Sequence, residues 1–93
     1  MTVVMNLEWP GMTREQYNQV IKAGNIDSDP AEGGIFHVAS FSERGLHVTD
    51  VWESEEHFQR FLEARLMPAV QQAGVTEAPP PPVFRQVHNI IQP

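Results

Sequence analysis

The sequence contains no cysteine, which removes disulfide bridges and thiolate chemistry and fits a reducing compartment. Positive charge is scarce. Against 12 Asp and Glu stand 6 Lys and Arg, for a formal net charge of -6. Arg14, Lys22, Arg44, Arg60, Arg65 and Arg85 are dispersed along the chain, so no basic stripe is available for a phosphate backbone or an anionic bilayer. Neither nucleic acid nor a membrane is expected as a partner. No apolar run is long enough to span a bilayer. Met1–Asn6 lacks the charged start and apolar core of a signal peptide, and a cytoplasmic location is expected. No H-E-x-x-H pattern occurs, Gly33-Gly34 is an isolated pair rather than a phosphate loop, and Ser40, Ser42 and Ser54 have no nucleophile-elbow context.

The chain of 93 residues is long enough for one domain, residues 1–93. A domain this small buries only about 60–65% of its unfolded surface, so a subunit interface would add needed stability.

Apolar and polar residues alternate over Thr2–Trp9, which predicts a strand ended by Pro10-Gly11. Thr13 and Gln16 have capping-box spacing, with Met12 and Tyr17 placed as a hydrophobic staple. A helix follows, stopped by Gly24 or Asn25. After a loop over Asn25–Gly34, Ile35–Phe41 and Leu46–Glu53 form a hairpin around Ser42–Gly45. Ser54 caps a second helix whose first turn carries Glu55 and Glu56. Phe58, Phe61, Leu62, Ala69, Val70 and Ala73 make its apolar stripe, and Pro68 predicts a kink or break. Pro79–Pro82 reads as a stiff spacer in preference to an SH3-type ligand, because it leads directly into a strand over Val83–Ile91.

The order βαββαβ predicts an α+β, ferredoxin-like domain: a four-stranded antiparallel sheet with two helices on one face. A sheet wet on its other face should be polar at every second position. Here both faces carry apolar residues. Val3, Met5, Leu7 and Trp9 oppose Val4; Phe36 and Val38 oppose Ile35, Ala39 and Phe41; Phe84 and Ile90 oppose Val83, Val87 and Ile91. The second face is expected to be covered by the same sheet of another copy, giving a homodimer with a cavity between the two sheets.

Pro10-Gly11-Met12-Thr13, Phe36-His37-Val38-Ala39, Asp50-Val51-Trp52-Glu53-Ser54-Glu55-Glu56 and Val87-His88-Asn89-Ile90 together resemble the dimeric α+β barrel superfamily, in particular the antibiotic-biosynthesis-monooxygenase-like proteins. The resemblance covers nearly the whole chain. It implies a dimeric α+β barrel and, by analogy, either a cofactor-free oxygenase of aromatic polyketides or a haem degrader. The haem degraders use an Asn, a Trp and a His on the second helix. Asn6 and Trp52 suit the first two positions, but His57 falls in the first helical turn and no His stands near Ala64. The resemblance therefore implies no cofactor.

Four histidines occur. His47 and His57 are expected at the surface, His57 near the Ser54 cap. His37 and His88 lie within apolar strands. If the hairpin closes on a four-residue loop, Phe41 faces Leu46 and His37 faces Asp50; a three-residue loop would align Val38 with Asp50 instead. In the first register Asp50 can fix the tautomer of His37, as a general base requires; otherwise His37 bonds a backbone carbonyl or a partner residue. His37 and Asp50 are the candidate catalytic residues, and Asn6, Trp52 and His88 the candidate contacts to a small aromatic ligand. His88-Asn89 can alternatively stitch a dimer, and Trp52 can serve as a core anchor. An enzyme of the monooxygenase or isomerase type, a non-catalytic binding module, and a metal site of His37, His88 and Asp50 are the competing readings.

Overall fold

Alternation sets the first strand, β1 (Val3–Pro10): Met5, Leu7 and Trp9 are buried, while Asn6 and Glu8 between them are exposed. In the computed structural model, which covers residues 1–93, the chain then turns into α1 (Arg14–Ala23) through a complete capping box. The Gln16 N–H donates to Thr13 Oγ1 at 3.1 Å, and Thr13 N–H donates to the Gln16 side chain at 3.0 Å. Of the two expected stop residues it is Asn25 that takes the left-handed conformation, with φ 49°.

Strands β2 (Gly34–Ser42) and β3 (Gly45–Trp52) form the expected hairpin. Phe41 pairs with Leu46 and His37 with Asp50, the first of the two registers. Gly45 is required at the turn: its φ is 131°, and a Cβ there would meet the Trp9 carbonyl oxygen at 2.5 Å. A bulge between Gly34 and Phe36 leaves Ile35 as the extra residue.

Ser54 caps α2 (Glu55–Phe61), accepting from the His57 N–H at 3.1 Å. The kink or break expected at Pro68 takes the form of an irregular turn. A π-helical turn over Leu62–Leu66 precedes α3 (Met67–Gln72), and Pro68 sits in the first turn of α3. The extra residue in that turn relieves the clash of the Pro68 ring with the Ala64 carbonyl, so the helical path continues.

Pro79–Pro82 leads into β4 (Val83–Gln86), shorter than the expected Val83–Ile91. The reason lies in its partner. β4 runs antiparallel to β1 and meets its first residue at the Val3–Gln86 pair. One further bond follows, from Val87 N–H to Thr2 O at 3.0 Å, where the pairing ends.

The antiparallel sheet has the order β2-β3-β1-β4, the ferredoxin-like α+β arrangement. The helical layer covers one face. Met5, Leu7, Trp9, Leu46, Val48 and Trp52 from the sheet pack with Val20, Phe58, Ala69 and Val70 from the helices. The other face is open and partly apolar: Phe36, Val38 and Val83 are 54%, 45% and 49% exposed, beside half-buried Val4 and Val51. No helix is long and apolar enough to cross a membrane.

Candidate functional site

A cavity of about 250 Å³ lies inside the single chain, between the helix-facing side of the sheet and the helices. It forms where the helical layer, which meets the sheet along Phe58, Ala69 and Val70, leaves space beside Tyr17 and Ile21 of α1 and Ile26 and Pro30 of the following loop.

The walls are apolar and aromatic. Trp9, Trp52, Phe58 and Phe61 contribute rings. Trp52 packs edge-on to Phe58 at 5.5 Å between centroids and tilted against Phe61 at 5.4 Å, so these rings hold one another in place. No Lys or Arg lines the space; its only titratable side chains are Tyr17, His37 and Asp50.

Those three side chains and Trp52 form one hydrogen-bonded chain. Strand alternation and the hairpin register put Met5, Asp50 and His37 side by side on the helix-facing side. Asp50 is the one buried charged residue, and both of its oxygens are engaged. His37 Nδ1 lies 2.6 Å from Oδ1, and Trp52 Nε1 donates to Oδ2 at 3.0 Å. This explains how a carboxylate, disfavoured in strands, is kept in β3: the donors offset its desolvation. When the carboxylate is ionised and the imidazole neutral, the carboxylate only accepts, so Nδ1 carries the imidazole proton and Nε2 presents a lone pair.

That lone pair meets the Tyr17 hydroxyl at 2.8 Å. The two rings are parallel to within 2°, with centroids 6.1 Å apart, and are joined through this bond. Phe41 packs edge-on against Tyr17 at 6.1 Å and fixes its position. Burial, with Asp50 and Asp27 nearby, raises the Tyr17 pKa above its ordinary value, so the hydroxyl stays neutral. The side chain of His37 is 44% exposed and that of Asp50 only 9%, so the cluster runs from the protein interior to solvent.

His37, Asp50 and Trp52 are thus brought together at the cavity. Asn6 and His88 are not. Asn6 has the opposite parity from Met5 and Leu7, so it points to the open face, where it donates to Thr49 Oγ1 at 3.1 Å. His88 lies past the end of β4 and is exposed. His37, His88 and Asp50 do not converge, and no group of three His, Cys, Asp or Glu side chains is placed to hold a metal ion. His47 and His57 are half-buried. His47 lies beside the Ser42 hydroxyl at 2.6 Å, and the His57 Nδ1 beside the Ser54 hydroxyl at 2.6 Å.

Tyr17 is the residue that sequence reasoning assigned only to the staple and to the apolar stripe of α1 with Val20 and Ile21. The available signal was chemical: it is the single tyrosine of the chain, and a tyrosine on an apolar helix face needs a partner for its hydroxyl.

No protein-family model matches the sequence, and no curated protein matches it. Its fold is shared with solved oxygenase structures. A Chloroflexus aurantiacus protein named for the antibiotic biosynthesis monooxygenases superposes with a TM-score of 0.64 at 16% identity, over 99% of this chain and 98% of that one. The ActVA-Orf6 monooxygenase of Streptomyces coelicolor, in complex with nanaomycin D, gives 0.56 at 20% identity, over 99% and 90% of the two chains. SnoaB, a cofactor-independent oxygenase of Streptomyces nogalater, gives 0.59 at 15% identity, over 97% and 94%.

Proposed function

We propose that the protein is a cofactor-free enzyme that holds a small aromatic compound in its internal cavity and removes a proton from it with the His37/Asp50 pair. The observation that carries this reading is the placement of a buried carboxylate, paired with a half-exposed imidazole, at the one polar end of a cavity walled by aromatic rings. Asp50 fixes the imidazole in the tautomer whose Nε2 can accept a proton, and stabilises the imidazolium that forms. The fold shared with a monooxygenase, a cofactor-independent oxygenase and a protein named for the antibiotic biosynthesis monooxygenases adds support by analogy.

Proton removal opens two reactions. Reprotonation at another carbon is isomerisation. In oxygenation, a dihydroxynaphthalene anion attacks dioxygen through the ring carbon para to the phenolate. The resulting hydroperoxide loses water to give a hydroxyquinone. One oxygen atom enters the ring, the other leaves as water, and the substrate supplies all four electrons. Oxygen uptake with dihydroxynaphthalene tests the reading. Turnover by the native chain, lowered about 100-fold or more in His37→Ala, is expected. Turnover unchanged in His37→Ala overturns the assignment of the base. A chain that binds such compounds but neither oxidises nor isomerises them is the non-catalytic binding module.

The protein is further proposed to be a homodimer joined through the open sheet face. Only 12 of 93 residues are buried in the single chain, and Phe36, Val38 and Val83 would otherwise remain in water. Sedimentation at micromolar concentration is expected to show a dimer that Val38→Lys dissociates. A stable monomeric native chain would overturn this.

A further inference from the structure

Both ring nitrogens of His37 are already in use. Asp50 is occupied at Oδ1 by His37 and at Oδ2 by Trp52. His37 is occupied at Nδ1 by Asp50 and at Nε2 by the Tyr17 hydroxyl, 2.8 Å away. With Nδ1 protonated, it is Tyr17 that donates in this last bond. Its phenolic oxygen has then committed its hydrogen but keeps its acceptor capacity. His37 therefore meets a ligand through the Tyr17 oxygen, and only a ligand that donates can make that bond.

We infer that Tyr17 is the residue that touches the substrate, and that the substrate is an uncharged phenol of one or two fused rings whose hydroxyl bonds to Tyr17 and releases its proton through it to His37. This inference rests on the reading of His37/Asp50 as a base and names the group through which that base acts. The transfer balances: the ligand O–H breaks and its proton moves to Tyr17 Oη, while the Tyr17 proton moves to His37 Nε2. What remains is a phenolate, a neutral Tyr17 and an imidazolium against the Asp50 carboxylate. No net charge is created and no oxidant is needed for this step.

Three further observations converge on the same ligand. Size is the first. An apolar cavity of about 150 Å³ accommodates a benzene ring, so the 250 Å³ present holds one substituted ring or two fused ones. Charge is the second. The lining offers no Lys or Arg and holds Asp50, so a carboxylate ligand would be desolvated beside a like charge with no counter-ion. The third is the proton's way out. Tyr17 and His37 line the internal cavity and also an outer depression with Asn18, Lys22, Asn25 and Asp27. They form the wall between the two, and the exposed side of His37 can pass the proton to water.

Because Tyr17 is the only tyrosine, an isotope label at tyrosine Cζ gives one NMR signal that reports this contact alone. The full-length chain is titrated with α-naphthol, with its methyl ether, which has the shape but no donor, and with α-naphthoate, which is an anion. α-Naphthol is expected to bind and shift the Tyr17 signal. The ether is expected to bind about tenfold more weakly, one hydrogen bond's worth, and naphthoate not to bind. In Tyr17→Phe the naphthol affinity should fall to that of the ether. Naphthol that fails to bind, that binds without moving the Tyr17 signal, or that keeps its advantage over the ether in Tyr17→Phe overturns the inference. Binding is read without turnover. A chain that binds naphthol through Tyr17 yet performs no chemistry retains the Tyr17 contact and refutes both the catalytic reading and the proton transfer built on it.

Discussion

Removing His37 and Asp50 singly and together measures the bond on which the site is built. His37→Ala leaves the Asp50 carboxylate, whose side chain is 9% exposed, with only the Trp52 donor. Asp50→Ala leaves the Trp52 N–H without its acceptor inside the core, a loss of about 1–3 kcal/mol for an orphaned buried group. Each single substitution therefore mixes the pair with other effects, and the double-mutant cycle isolates the pair itself. A hydrogen bond to a charged group is worth about 1.5–3 kcal/mol. The 44% exposure of the His37 side chain allows solvent screening that lowers it. The expected coupling is thus about 1–2 kcal/mol, read from urea unfolding at neutral pH and one fixed protein concentration. Alanine is the right replacement for Asp50, because asparagine would keep an oxygen able to accept from His37. Additive single effects, with coupling below about 0.3 kcal/mol, would show that the two side chains do not act as a unit and would refute the reasoning.

Gly33 has φ +83°, and a Cβ on it would run into the His57 ring. Gly33→Ala should therefore lower stability by about 2 kcal/mol or more, and His57→Ala should relieve part of that loss in the same unfolding assay. Ser54→Ala removes the α2 cap and should cost about 1 kcal/mol, with circular dichroism showing the fold retained. The raised Tyr17 pKa carries a sign. Above about pH 10 the unfolded chain releases the phenolic proton first, so this contribution is complete below that pH and fades as pH rises toward the folded-state value. Tyr17→Phe should flatten the alkaline fall in stability, and an unchanged fall would assign it to other groups.

Local features of the fold are legible in the sequence because they rest on neighbours in the chain. The Thr13–Gln16 capping box, the Ser54 cap and the alternation of β1 each need only a few adjacent residues. What depends on distant partners is less so. The end of β4 is set by where β1 begins, which apolar content in Val87–Ile91 does not reveal. A proline marks a disturbance in a helix, but whether it breaks the helix or is absorbed by a π turn depends on the packing of Phe61 and Leu62 against the core. At the site, His37 and Asp50 are visible as polar residues in apolar strands, yet their contact depends on one residue of hairpin register. The parity of Asn6 against Met5 is readable directly. Its distance from the cavity is not, because nothing in the pattern says on which side of the sheet the cavity lies. Tyr17 shows an apolar helix position and hides the bond that its hydroxyl makes across to β2.

A crystal structure of the protein soaked with α-naphthol is the most direct test of the whole account. The rings should lie between the helices and the sheet against Trp9, Trp52 and Phe58, with the naphthol oxygen within hydrogen-bonding distance of Tyr17. Naphthol on the open sheet face, or in the cavity with its oxygen turned away from Tyr17 and His37, would contradict it.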